Sequence, residues 1–220
     1  MEIYFDGCSR TYGGELEEEL RESQRFSRIF CEKIGARDHN KSQPGASNER
    51  ILRNLFVENN ICEYDFAVIQ MSYPSRTEYY DMLKSKFYQV QPNKTFLLKR
   101  SKKEDRQFWQ HYYKNIYTDF QGVQKEKIVY QSIKDHCKVN NVPLILITNN
   151  NWSTDLEFDI SLELEKYPTL KGGHPTPEGH RMIADDIYDL FVYRITRQLI
   201  ADDIHNMIIN RFTHTDENIF

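Results

Sequence analysis

Met1-Glu2-Ile3-Tyr4-Phe5-Asp6-Gly7-Cys8-Ser9-Arg10-Thr11-Tyr12-Gly13 is the stretch that decides the fold. Met1 to Phe5 is a short apolar run that passes directly into Asp6-Gly7-Cys8-Ser9, and it reads as a strand entering a tight turn. Residues 14 to 34 follow with helical character. Leu16, Leu20, Phe26, Phe30 and Ile34 share one broad face, and Glu crowds the first turns, where the helix dipole favours it.

The alternation of strand and helix continues outward from there. Asp38 to Ser42 leaves room for a second short strand. Pro44-Gly45-Ala46-Ser47-Asn48 breaks the chain, and Ser47 or Asn48 can cap a helix covering Ile51, Leu52, Leu55 and Phe56. Asp65 to Met71 is a continuous apolar run, the pattern of a strand buried on both faces. Residues 73 to 120 are irregular and rich in Tyr, Phe, Lys and Gln; they read as helical elements above the sheet edge. A helix over 124 to 139 should turn Ile128, Val129, Ile133 and Cys137 inward. Pro143 to Thr148 is another buried strand, and Phe158 to Leu162 a short further one. A last helix over 176 to 195 lines up Met182, Ile183, Ile187, Leu190 and Phe191.

Parallel βαβ units follow, and with them an α/β fold: a three-layer α/β/α sandwich around a mostly parallel central sheet. One such domain is expected over residues 1–195. A helical extension, 196–220, would pack on the same core or on a second copy of the chain, using Leu199, Ile200, Ile204, Met207 and Ile208. Active sites of such sheets lie outside the carboxyl ends of the strands. Segments 6–13, 42–48, 72–78 and 149–154 are polar and turn-rich and fall at that edge. The loop around His174 joins them if the last helix returns antiparallel to its strand.

Composition bounds the function. The chain has 220 residues, 39% hydrophobic and 13% aromatic, which suits a globular domain and not a disordered one. A net charge of −4 offers no broad basic field, so no nucleic-acid partner is expected. The basic cluster Lys99 to Lys103 reads as a solvated loop. The four cysteines form no CxxC pair and have no ligand spacing with His, so a zinc site is not expected, and nothing else in the sequence calls for a metal or an organic cofactor. Cys31, Cys62 and Cys137 lie in apolar segments and read as reduced core residues. With no basic leader pattern and no run of membrane-spanning length, the expected location is cytoplasmic, without a membrane partner.

Two residues carry the candidate chemistry. Ser9 follows a strand on a Gly turn, which exposes its hydroxyl at the sheet edge; a serine in such a turn is also a common helix cap. As a nucleophile it needs a base within hydrogen-bond reach. His174, in Gly172-Gly173-His174-Pro175, is the candidate base, since the glycines allow close backbone approach and Pro175 stiffens the exit. His180, six residues on, reads as packing or capping.

The arrangement resembles the SGNH (GDSL-like) hydrolase family. Phe5-Asp6-Gly7-Cys8-Ser9-Arg10-Thr11-Tyr12-Gly13 resembles its first block, G-D-S-x-(T)-x-G, with Ser9 on the nucleophile position. Pro44-Gly45-Ala46-Ser47-Asn48 resembles the second, whose glycine N–H binds the oxyanion; that glycine is Gly45 here. His174-Pro175, followed by Gly179 and a helix, resembles the last. The resemblance spans residues 2 to 195 and implies the flavodoxin-like SGNH fold and a serine esterase activity.

Three positions depart from the pattern. The family Asp after the first Gly is Cys8, which makes Cys8 a rival nucleophile, although the turn register favours Ser9. The third-block Asn is missing from Met71-Ser72-Tyr73-Pro74-Ser75-Arg76, so Ser72, Ser75 or Arg76 would have to complete the oxyanion hole, and Arg76 could also hold an anionic substrate group. The family Asp three residues before the histidine is Lys171. Asp155, Asp159, Glu178 or a backbone carbonyl would have to orient the imidazole instead. The reading is therefore a hydrolase of a small-molecule or carbohydrate acyl ester. The alternative is an SGNH-like module that binds without catalysis.

Overall fold

The computed structural model describes residues 1–92, 103–149, 155–163 and 165–213, with the backbone alone for 103–104 and 198–213. Residues 99–102 of the basic cluster, residues 150–154 of the fourth edge segment and the side chains of the apolar tail positions lie outside that description.

Among the described residues, five parallel strands form the central sheet: β1 (Glu2–Asp6), β2 (Arg37–Asn40), β3 (Phe66–Gln70), β6 (Leu144–Thr148) and β7 (Ile160–Ser161), in the order β2-β1-β3-β6-β7. β1 lies inside the sheet, and the connections leave it in opposite directions, toward β2 on one side and β3 on the other. The crevice between β1 and β3 is thus the switch point at which such sheets place their ligands.

Successive β1 residues point to opposite faces. Ile3 and Phe5 pack with Phe26 and Phe30 of α3 (Phe26–Ile34) and Ile183 and Ile187 of α7 (Pro177–Thr213). Tyr4 points the other way, toward Ile51 of α4 (Asn48–Arg53) and Val129 and Ile133 of α6 (Asp119–Val139). Two apolar cores sandwich the sheet, giving the three-layer α/β/α architecture. Ser47 caps α4, its hydroxyl accepting the Arg50 N–H at 3.2 Å, which contributes about 1 kcal/mol.

Several expectations need correction. No continuous helix fills 14 to 34: α1 is only Ser9–Tyr12, Gly13 ends it in the left-handed region, and α2 (Arg21–Gln24) and α3 follow after a loop. Residues 73 to 120 are not all helical. Thr77–Asp81 (β4) and Lys86–Val90 (β5) pair as an antiparallel hairpin ahead of α5 (Lys103–Asn115). Cross-strand aromatic pairs hold it, Tyr79 on Tyr88 at 5.6 Å and Tyr80 on Phe87 at 4.9 Å between ring centroids. Ile128 faces solvent because the buried stripe of α6 runs through Glu126, Val129, Tyr130, Ile133 and Cys137. Cys62 is exposed, while Cys8, Cys31 and Cys137 are buried and all four are free. α7 continues past residue 195 to Thr213. No described helix is long and apolar enough to cross a membrane.

Candidate active site

The end of β1 is fixed by a buried carboxylate. Asp6 accepts the Gly7 N–H (2.7 Å), Arg50 Nη1 (3.0 Å), Asn54 Nδ2 (2.9 Å) and the Tyr4 hydroxyl (3.1 Å). Burial pushes its carboxyl up to about 6 against the pull of Arg50. The same guanidinium holds Gln43 Oε1 at 2.9 Å and the Lys41 carbonyl at 2.7 Å. One ion pair therefore fixes both the turn that carries Ser9 and the loop that carries Gly45.

Beyond that turn, the sequence-distant residues Ser9 and His174 meet. Ser9 Oγ lies 2.8 Å from His174 Nε2, with both side chains half-buried. A hydroxyl donating to Nε2 requires the imidazole proton on Nδ1. The neighbour on that side is Glu15, whose Oε2 is 3.2 Å from Nδ1. The carboxylate sits off the ring N–H direction, so this is ion-pair contact without a formed hydrogen bond.

The expected orienting groups lie elsewhere. Asp155 pairs with Lys127 at 3.0 Å, Asp159 binds the Leu146 N–H at 2.7 Å and Arg194, and Glu178 pairs with Arg181 at 2.8 Å. Glu15 was hidden in a Glu-rich stretch that reads as a first helical turn. The detectable signal was its setting, with Gly13-Gly14 before it and Gly172-Gly173 near the histidine. His180 is wholly buried, accepts the Phe26 N–H at Nδ1 (3.2 Å) and packs on the Phe26 ring. Burial, with His174 nearby, lowers it to about 4, so it stays neutral packing.

Cys8 and Ser9 face different surroundings. Cys8 Sγ is buried against the Gln70 and Asn149 side chains, with Asn149 Nδ2 donating to it at 3.3 Å. Burial raises the thiol, but Arg76, the Arg10 N–H and Asn149 outweigh it and lower the value. Gln70 also binds Asn149 Oδ1 and accepts the Thr11 N–H at 3.1 Å. This amide network joins the ends of β1, β3 and β6 and is a feature that sequence reasoning did not find.

The residues around Gly45 form the other wall. Among the described residues, the N–H groups of Ser9 and Gly45 donate to no protein acceptor. Ser72 Oγ donates to the Ala46 carbonyl at 2.6 Å and accepts from Arg76 Nη1 at 2.9 Å. Asn48 clamps the Ser72 backbone, accepting its N–H at 2.6 Å and donating to its carbonyl at 3.1 Å. Arg76 lies over the Tyr73 ring at 4.7 Å. The Ser75 carbonyl accepts the Tyr113 hydroxyl at 2.9 Å. Ser75 and Arg76 line a cavity of about 450 Å³ with Tyr73, Gln91, Tyr113 and Tyr117. The Gln91 amide lies so near Gly45 that a Cβ there would come 2.3 Å from Nε2, so the cavity adjoins the Gly45 loop. β4 and β5 brace this wall: Gln89 accepts the Ser47 N–H at 2.9 Å, and Arg53 binds Glu78 at 2.9 Å.

No family model matches the chain, and no curated protein matches its sequence. Solved structures do match its fold. The crystal structure of psychrotrophic esterase EstA from Pseudoalteromonas sp., inhibited by monoethylphosphonate, has a TM-score of 0.54 at 12% identity, covering 89% of this chain and 98% of that one. The crystal structure of TesA has a TM-score of 0.51 at 11% identity, covering 86% and 97%. In architecture, the chain has the fold of the SGNH hydrolases.

Proposed function

We propose that this chain, built on the SGNH hydrolase fold, is a serine ester hydrolase with Ser9 as nucleophile and His174 as general base. The observation that carries the reading is the 2.8 Å approach of Ser9 Oγ to His174 Nε2 at the β1–β3 switch point. A serine alone is a poor nucleophile, and a base in contact is what activates it.

Ser9 Oγ attacks the ester carbonyl as its proton passes to Nε2 of His174. The N–H groups of Ser9 and Gly45 receive the developing oxyanion, each such donor being worth on the order of 10²–10³ in rate. The intermediate collapses, the C–O bond to the carrier breaks, and the Nε2 proton goes to the departing alkoxide. Water then attacks the acyl-enzyme with the same histidine as base. Arg76, with Ser72 and Ser75 on its segment, is the proposed source of the third donor or of an anion contact.

The substrate proposed is a small acyl ester, such as an acetyl group, on a sugar or another polar carrier. Support comes from the aromatic cavity beside Gly45, where Tyr73, Tyr113 and Tyr117 offer ring faces and Gln91 and Arg76 offer polar groups. A cytoplasmic setting is proposed with it, in keeping with the four free cysteines.

A fluorophosphonate probe tests the reading. Wild type should be labelled, Ser9→Ala should not, and His174→Ala should lose p-nitrophenyl acetate turnover by about 10³-fold or more while keeping its thermal midpoint. A well-folded wild type that takes no label overturns the enzyme reading in favour of a binding module. A thiol-reactive probe that labels Ser9→Ala but not Cys8→Ala, with ester turnover following Cys8, would move the nucleophile to Cys8.

A further inference from the structure

The proposed mechanism leaves an imidazolium to be oriented and stabilised, and the position three residues before the histidine holds Lys171, exposed and of the wrong sign. The structure brings a carboxylate to the same ring nitrogen from another direction. Glu15 Oε2 lies 3.2 Å from His174 Nδ1 and accepts the Gly172 N–H at 3.2 Å.

The surroundings of Glu15 distinguish this contact from a chance surface ion pair. Glu15 sits at φ +67°, in the left-handed region, which a residue with a Cβ seldom adopts. Such conformations persist where the surroundings hold them, and they gather at functional sites. Here the holding groups are visible. At Gly172 a Cβ would come 1.7 Å from Glu15 Oε1, so the carboxylate occupies the space that a side chain would fill. At Gly14 a Cβ would come 3.0 Å from His174 Cδ2 and 3.1 Å from Nε2, so the ring packs directly on the backbone beside Glu15. The loop thus meets the histidine on one flank through Gly14 and on the other through Glu15.

We propose that Glu15 is the positioning carboxylate of this site, in place of the acid that Lys171 displaces; the proposal rests on the Ser9–His174 reading. Glu15 does not exchange protons. It holds the tautomer with the proton on Nδ1, leaves Nε2 free to take the Ser9 proton, and faces the positive charge that then appears on the ring. Glu15 is 38% exposed, so water screens part of that attraction. Nucleophile and carboxylate therefore come from one short segment, Ser9 to Glu15, and the histidine loop supplies only the base.

The test compares wild type, Glu15→Gln, Glu15→Asp, Lys171→Asp and Glu15→Gln/Lys171→Asp, using p-nitrophenyl acetate from pH 5 to 9 together with thermal midpoints. Glu15→Gln is expected to lower kcat on the order of 10²-fold with little change in KM. Its pH–rate profile should differ from that of wild type, which a purely structural role would not produce. The double variant is expected to regain at least about 10-fold of that loss, since it returns a carboxylate to the histidine loop. Glu15→Asp, one methylene short, should fall between. A Glu15→Gln enzyme with wild-type kcat and an unmoved profile overturns the assignment. Loss of kcat matched by loss of thermal stability, with the pH profile unmoved and no rescue, overturns it too, as a purely structural role. An active wild type with an indifferent Glu15→Gln sinks this inference alone; a wild type inert to both ester and fluorophosphonate sinks the hydrolase reading and this inference with it.

Discussion

The carboxylate of Glu15 occupies the side-chain space of Gly172: a Cβ at Gly172 would lie 1.7 Å from Oε1 and 2.5 Å from the carboxyl carbon. Gly172 itself does not have the positive φ of its neighbour Gly173, so alanine there brings no left-handed backbone strain. Gly172→Ala should act by evicting Glu15. The expected result is a fall in ester turnover of the order expected for Glu15→Gln, about 10²-fold, with the thermal midpoint within a few degrees of wild type. Gly173→Ala provides the contrast. It meets no atom within 4 Å but stands at φ +80°, so it should cost roughly 1–2 kcal/mol of stability through strain. Steady-state kinetics and calorimetry on the two variants check both; a fully active Gly172→Ala would contradict the fit described.

Arg76 is a cation held by neutral groups: the Ser72 hydroxyl, the Tyr73 face and, at 3.5 Å, the Ala46 carbonyl. Among the described residues it has no carboxylate partner. A half-buried guanidinium aimed at the Gly45 loop suits a developing or resident negative charge. Arg76→Ala should reduce turnover about 10- to 100-fold and stability by less than ~1 kcal/mol. An unchanged rate would remove Arg76 from the site, and a large loss of stability without loss of rate would make it structural.

Glu126 is 5% exposed, and its Oε2 has no hydrogen-bond partner. Burial pushes its carboxyl up to about 7 from the ordinary 4.5. A carboxylate raised in the folded state binds its proton more tightly there than in the unfolded chain. Its stabilising contribution is therefore complete below pH 4.5 and is lost as pH rises through about 7. Glu126→Gln removes that penalty. Urea unfolding should show the variant near wild type at pH 4.5 and more stable by on the order of 3 kcal/mol at pH 8. Asp6 is raised in the same sense but is present in both proteins, so it cancels. A constant difference across that range would refute the assignment.

The apolar runs at 65–71 and 143–148 were legible because strands buried on both faces leave no polar alternation to confuse the reading. That Ser9 and His174 would come together was legible because each sits in a short turn marked by glycine or proline, and the structure brings them to 2.8 Å. The hairpin was not. Its strands are five residues each, and the turn between them has no Asn-Gly or Asp-Gly; Ser85 takes the positive φ instead, and Asp81 receives the Leu83 and Lys84 N–H groups. The inward face of α6 was misjudged by one position, because an apolar Ile128 is exposed while the carboxylate of Glu126 is buried. Glu15 was illegible for a different reason. Among several neighbouring glutamates, the one that meets the histidine is selected by a backbone kink and by space left at the far end of the chain, and neither is local information.

Ser9 and His174 are 165 positions apart, and β1 sits between β2 and β3. During synthesis Ser9 emerges 165 positions before His174, which follows every described strand of the sheet. Until the loop ahead of α7 docks on the sheet edge, Ser9 has no imidazole beside it. On the proposed reading, reactivity of Ser9 toward an electrophile reports docking of the His174 loop: a chain cut before that loop is expected to carry the serine but take no label.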